Sequence, residues 1–89
     1  MTISDTKITN NTVDEGNGGG LAIFTSLNTF ALVIKDSYIE SNSASKGGGA
    51  YFEFQKTPVS PPYLSYLYNT SIQYNSADTL GGGIFYQGY

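Results

Sequence analysis

The chain has 89 residues and a net charge of −3, from seven acidic residues against four lysines, with neither arginine nor histidine. No basic stripe is available to offset phosphates, which sets nucleic-acid binding aside. With cysteine also absent, disulfides, thiolate sites and the usual zinc and iron ligand sets cannot be built, so no metal or other cofactor is expected.

In chain order, the opening MTISDTK has neither the charged nor the apolar region of a signal peptide. Ile3 begins ISDTKITNN, in which Asp5-Thr6 is followed by Ile8 and then Asn11. A polar spacer leads to Gly18, Gly19 and Gly20 and to the strand-like LAIF, with Leu21 and Ile23 inward. TFALVI (29–34) alternates as a strand with Phe30, Leu32 and Ile34 inward. At Ile34 the pattern restarts as IKDSYIESN, with Asp36-Ser37, Ile39 and Asn42, then a short polar spacer, then Gly47, Gly48, Gly49 and AYFEF. Ala50, Phe52 and Phe54 fall on one side of that strand and Tyr51 and Glu53 on the other, and the charge on Glu53 marks the wet side. A third copy runs from Leu67 as LYNTSIQYN, with Asn69-Thr70, Ile72 and Asn75, then Gly81, Gly82, Gly83 and IFYQ, with Ile84 and Tyr86 inward.

Nine of the eleven glycines lie in the three triplets, so the pattern is a repeat of about thirty residues rather than a glycine-rich linker. Period-2 alternation, without helical periodicity or strong helix formers, makes the fold all-β. The spacing matches one coil of a parallel β-helix (a solenoid) with three short strands per coil, in about two and a half coils: 3–33, 34–66 and 67–89 of a single segment spanning 1–89. Successive coils of such a solenoid lie about 4.8 Å apart, so like residues stack on like. Asn11, Asn42 and Asn75 then form a ladder of side-chain amides. The glycine triplets form one corner, where positive φ and close backbone approach are needed, and the Asp/Asn–Thr/Ser pairs form another. The coil begins and ends abruptly, which leads us to expect a segment of a longer solenoid or a subunit whose ends stack on another copy.

QKTPVSPPYLSY (55–66) interrupts the third repeat's approach with three prolines, which cannot donate to a ladder, and is expected to be a projecting loop. The adjacent acids Asp14 and Glu15 have no counterpart in the other repeats and read as a solvated turn. Asp5 and Asp36 would stack at a separation a glycosidase could use, but Asn69 takes their place in the third repeat, and a turn role covers all three. The triplets lack the GK[ST] of a phosphate loop and the aspartate of a calcium nonapeptide. Asn10 and Asn69 head N-glycosylation sequons. Tyr63, Tyr66, Tyr68 and Tyr74 crowd the third repeat and its loop, where the rings either stack on one another and cover the outer wall or, exposed, contact a partner protein or stack on sugar rings.

An apolar-x-x-Asn tetrapeptide followed by a glycine-rich one ending in an aliphatic residue resembles the FxxN and GGA-aliphatic repeats of chlamydial polymorphic outer-membrane proteins. Here the pairs read ITNN, IESN and IQYN, then GGGL, GGGA and GGGI, over roughly 3–24, 29–54 and 66–86, with Ile in place of Phe and a third glycine. The resemblance implies a right-handed, pectin-lyase-like parallel β-helix from an exported adhesin, extracellular or on the cell surface. Lyases of that shape set a calcium-binding acidic cluster beside a basic residue, and Lys7, Lys35, Lys46 and Lys56 do not recur beside clustered carboxylates. The expected function is therefore a non-enzymatic structural or adhesive module, contacting other coils, another copy, or a host protein or glycan. The alternative is a carbohydrate-binding or carbohydrate-active β-helix with its active coils elsewhere.

Overall fold

The structure, a computed structural model, describes residues 1–26, 31–54 and 65–88. Among them the chain is all-β, with nine strands: β1 (Thr2–Ser4), β2 (Lys7–Thr9), β3 (Leu21–Thr25), β4 (Val33–Glu40), β5 (Ser43–Lys46), β6 (Ala50–Phe54), β7 (Tyr66–Gln73), β8 (Ser76–Leu80) and β9 (Ile84–Gly88). Every strand pairing is parallel and joins equivalent positions of successive repeats. β1 and β2 lie along the two halves of β4, β4 lies on β7, β5 on β8, and β3 on β6 and β6 on β9. In the first sheet Ile8 pairs with Ile39 and Ile39 with Ile72. The stretches read as repeats thus meet through the backbone, and pairing starts one residue ahead of the expected boundaries, at Thr2, Val33 and Tyr66.

Three columns of left-handed backbone mark where the chain bends. Asp5, Asp36 and Asn69 have φ of 51°, 51° and 47°; Asn10, Ser41 and Tyr74 have 60°, 59° and 57°; Gly18, Gly47 and Gly81 have 75°, 62° and 68°. Glycine tolerates this region because it has no Cβ to crowd the following carbonyl, and Asp and Asn because their short polar side chains bond locally. At the first bend the hydroxyls of Thr6, Ser37 and Thr70 each donate to the carbonyl two residues back, at 2.8, 2.7 and 2.9 Å. The second bend is less well served in the third repeat, where the bulky Tyr74 is 78 % exposed and holds positive φ. Tyr74→Asn is expected to raise stability by about 0.5–1 kcal/mol through relief of that strain, as read from urea denaturation.

The core lies between the first and third sheets. Ile34 from β4, Leu32 just ahead of it, and Ile23, Ala50 and Phe52 from β3 and β6 form one buried cluster, with Ile3, Leu21 and Phe54 packed against it. The inward sets expected in LAIF and AYFEF therefore meet the inward half of TFALVI. Phe30 lies outside the described residues, and Leu32 precedes a strand that runs on through the Asp36 bend to Glu40.

Two expectations are corrected. The polar spacers form a sheet of their own: Ser43–Lys46 pairs with Ser76–Leu80, and in the first repeat single bridges join Thr12 to Ser43 and Asn17 to Lys46. Only Ala44 (1 % exposed) points fully into the interior, too little apolar content to register as a strand. Tyr51, assigned to the wet side, is 8 % exposed. Phe85 stacks on its ring at 5.2 Å between centroids, and its hydroxyl donates to Glu53 Oε1 at 2.6 Å. That hydrogen bond, reinforced by burial and by the Glu53 charge, holds the Tyr51 phenol above its ordinary pKa.

Candidate functional site

The most ordered constellation is the asparagine column. Asn11 donates both its backbone N–H and its Nδ2 to Asn42 Oδ1, each at 3.0 Å. Asn42 does the same to Asn75 Oδ1, at 2.9 and 3.1 Å. The second amide proton of each later rung goes to a backbone carbonyl of the repeat before it, Asn42 Nδ2 to Ile8 O at 3.0 Å and Asn75 Nδ2 to Ile39 O at 2.8 Å. The column therefore has a direction: every Oδ1 faces the preceding repeat. A side chain in this position must offer two donors and a double acceptor on one short stem, which among the twenty only asparagine does. Asn42 is 1 % exposed, and no buried side-chain polar atom among the described residues lacks a partner.

Beside this ladder stand the triplets. Gly47 N–H bonds Leu80 O at 3.0 Å, Gly48 N–H bonds Gly81 O at 3.1 Å and Ala50 N–H bonds Gly83 O at 2.9 Å, repeating the contacts of Gly18, Gly19 and Leu21 on the second repeat. A Cβ on Gly20 or Gly49 would lie 2.8 Å from the ladder amide of Asn42 or Asn75. The triplet is thus bare so that the next repeat's backbone and asparagine can close on it.

Exposed aromatic residues cluster on the outer wall of the first sheet and at the bend that follows it, with Phe24 and Tyr86 exposed on the third sheet. Tyr66, Tyr68 and Tyr74 are exposed as expected, at 54, 52 and 78 %; Tyr63 lies outside the described residues, as do positions 55–64 of the expected proline loop, and Tyr66 already opens β7. Sequence reasoning missed Tyr38, which is also exposed, sits 5.8 Å below the Lys7 ammonium, and divides two open depressions. One, of about 600 Å³, is lined by Asp36, Ser37, Tyr38, Asn69, Thr70 and Ser71. The other, of about 420 Å³, is lined by Lys7, Thr9, Asn10, Tyr38, Glu40 and Ser41. The only available signal was Tyr38's place opposite Lys7 and Ser71 in the repeat register.

The carboxylates are placed for turns and local bonds. Asp5 and Asp36 share the left-handed bend, and Asn69 Nδ2 donates to Asp36 Oδ1. Glu40 Oε1 accepts from Ser71 Oγ at 3.0 Å and Gln73 Nε2 at 2.9 Å. Asp14 and Glu15 are exposed in a two-residue lengthening of the first repeat: Thr12 and Asn17, five apart, pair with Ser43 and Lys46, three apart. Among the described residues no three acidic side chains gather as a metal site, and no helix is long and apolar enough to cross a membrane.

Comparisons with protein-family models, with curated proteins and with solved structures each return no match. The class is defined by the chain itself: an all-β repeat protein of parallel sheets whose recurring residues bond to their own equivalents in the neighbouring repeat.

Proposed function

We propose that the chain is a non-enzymatic structural and adhesive module, a right-handed parallel β-helix segment belonging to a surface-exposed or secreted protein of the FxxN/GGA-repeat type. The observation that carries this reading is the use made of the recurring residues. Asparagines, triplet glycines and bend hydroxyls are all engaged in bonds within or between repeats, and none is left to serve a reaction. Handedness and family come from the motif resemblance alone, and the parallel pairing of successive repeats supports only the layered architecture. In this reading the solenoid displays its wall, with Tyr38, Tyr66 and Tyr68 exposed, to a host protein. Far-UV circular dichroism is expected to give a β spectrum, and a substantially helical one would remove the basis of the proposal.

A second reading, carbohydrate binding, is favoured by one feature: a solvated tyrosine flanked by carboxylate, amide and hydroxyl groups in the two depressions. Aromatic faces and such polar groups are what pyranose rings engage. On a glycan array the structural reading predicts no retained sugar. Glycan binding that disappears in Tyr38→Ala, or in a Tyr66→Ala/Tyr68→Ala double variant, would transfer the function to this second class.

A further inference from the structure

Gly82 and Gly83 are glycines for which the chain itself provides no reason. Gly81 has one, since its φ is +68° and a Cβ there would sit 2.6 Å from Ile84 O. A Cβ on Gly82 or Gly83 would meet nothing closer than Asn75 O at 3.4 Å or Ile72 Cγ2 at 3.5 Å, ordinary contacts. The equivalent positions in the other repeats are closed. On Gly19 a Cβ would lie 2.5 Å from Gly48 O and 2.6 Å from Ser43 O; on Gly48 it would run into the Ser76 carbonyl and lie 2.6 Å from Gly82 O; on Gly20 and Gly49 it would lie 2.7 and 2.5 Å from Gly49 O and Gly83 O. In each case the crowding atoms belong to the following repeat. The third repeat carries the same bare backbone with no repeat described above it.

Its inward side chains tell the same story. Ile34, Ala50 and Phe52 of the second repeat are 0, 0 and 4 % exposed, whereas their register partners Leu67, Ile84 and Tyr86 are 38, 38 and 49 % exposed. We infer that this face takes a further layer of the same repeat, supplied by the first repeat of a second copy of the chain, an inference that rests on the layered reading above.

The choice of a second copy follows from the two surfaces involved. The upper face of one repeat and the lower face of the next already meet twice within the chain, and among the described repeats the upper face of the third matches the lower face of the first in the same way. By equivalence with Gly47, Gly48 and Ala50, which donate upward, the N–H groups of Gly81, Gly82 and Ile84 point to the open face. By equivalence with Lys46, Gly47 and Gly49, which accept from the first repeat, the carbonyls of Asn17, Gly18 and Gly20 point out of the opposite face. Asn75 would donate to Asn11 Oδ1 of the second copy, prolonging the directional ladder. In that register Asp5, Lys7 and Thr9 fall over Asn69, Ser71 and Gln73, so no like charges are opposed on the first sheet, while on the second sheet Asp14 and Glu15 come to the segment that carries Asp78. The contact joins two different faces, so it does not close on itself and generates an open, polar stack, with each copy advancing it by about 14 Å, three layers of about 4.8 Å.

The test uses the full 89-residue chain. In sedimentation velocity and native mass spectrometry the wild type is expected to form concentration-dependent head-to-tail oligomers. Gly82→Ala, harmless within one copy, is expected to weaken self-association at least hundredfold while its circular dichroism is unchanged and, at concentrations where both chains are monomeric, its melting temperature is equal or slightly higher. Added in small proportion to wild type, it should shorten the oligomers, because it joins through its first repeat and offers a blocked third. A wild type that stays monomeric at millimolar concentration, or a Gly82→Ala chain that assembles like wild type, overturns the inference. Gly48→Ala separates the two levels of argument. If it unfolds while the wild type is monomeric, only the assembly fails; if it melts like wild type, the layered reading fails with it.

Discussion

Gly48→Val is expected to leave no folded protein: the variant should collect in the insoluble fraction, and any soluble remainder should show neither the β spectrum nor a cooperative melt. Gly48 does not need glycine for its own backbone angles, since its φ is not in the left-handed region. The demand comes from above, where a Cβ would be driven into the Ser76 backbone carbonyl, with Gly82 O 2.6 Å away. Backbone cannot swing aside as the end of a flexible side chain does. Relief requires parting the second and third repeats, which would loosen β5 from β8 and β6 from β9 and uncover Ala50 and Phe52, now 0 and 4 % exposed. A penalty above about 4–5 kcal/mol is expected of such an overpacked backbone contact, comparable with the whole stability of a small domain. The parted strands are also unpaired edges, which favours aggregation over a soluble unfolded chain. Valine at this position thus tests the layer contact rather than any chemistry.

The features that could be read from the sequence are those in which like stacks on like. The asparagine column, the triplets and the Asp/Asn–Thr/Ser bends recur because one side chain must satisfy the same neighbour in each layer, and so they show as a period. Features that depend on unlike residues did not show. The second bend uses Asn10, Ser41 and Tyr74, three residue types with one backbone conformation. The second sheet hides in polar spacers because a single inward alanine per strand suffices there. Tyr51 alternates onto the outer side yet is covered by Phe85 from the next layer, a contact between repeats that no pattern within one strand reveals. The Tyr38 wall likewise arises only once Lys7, Tyr38 and Ser71 are brought into register.

Replacing the asparagines one at a time should give unequal losses, and the inequality measures how the ladder is built. Asn42 makes four side-chain hydrogen bonds, accepting two from Asn11 and donating one each to Asn75 Oδ1 and Ile8 O. Asn42→Ala removes the acceptor of the Asn11 backbone N–H and the second donor to Ile8 O, and opens a void beside Gly20. With about 1 kcal/mol net for each bond and about 1–3 for each stranded buried group, the expected loss is about 3–5 kcal/mol. Asn75→Ala removes three bonds, two accepted from Asn42 and one donated to Ile39 O, from a partly exposed site, for about 2–3 kcal/mol. Asn11→Ala removes a single side-chain bond at an exposed position and is expected to cost about 1 kcal/mol or less. Asn42→Asp keeps the acceptor for Asn11 but loses both donors and faces a charge toward Ile8 O and Asn75 Oδ1, so it should be at least as damaging as alanine. Urea denaturation of the four variants gives the order directly. Equal losses at Asn11 and Asn42 would mean that the column acts as separate local turns. The expected order means that each rung is held by the layers on both sides of it, which is also why an end rung that lacks one of its layers has bonding capacity to offer a second copy.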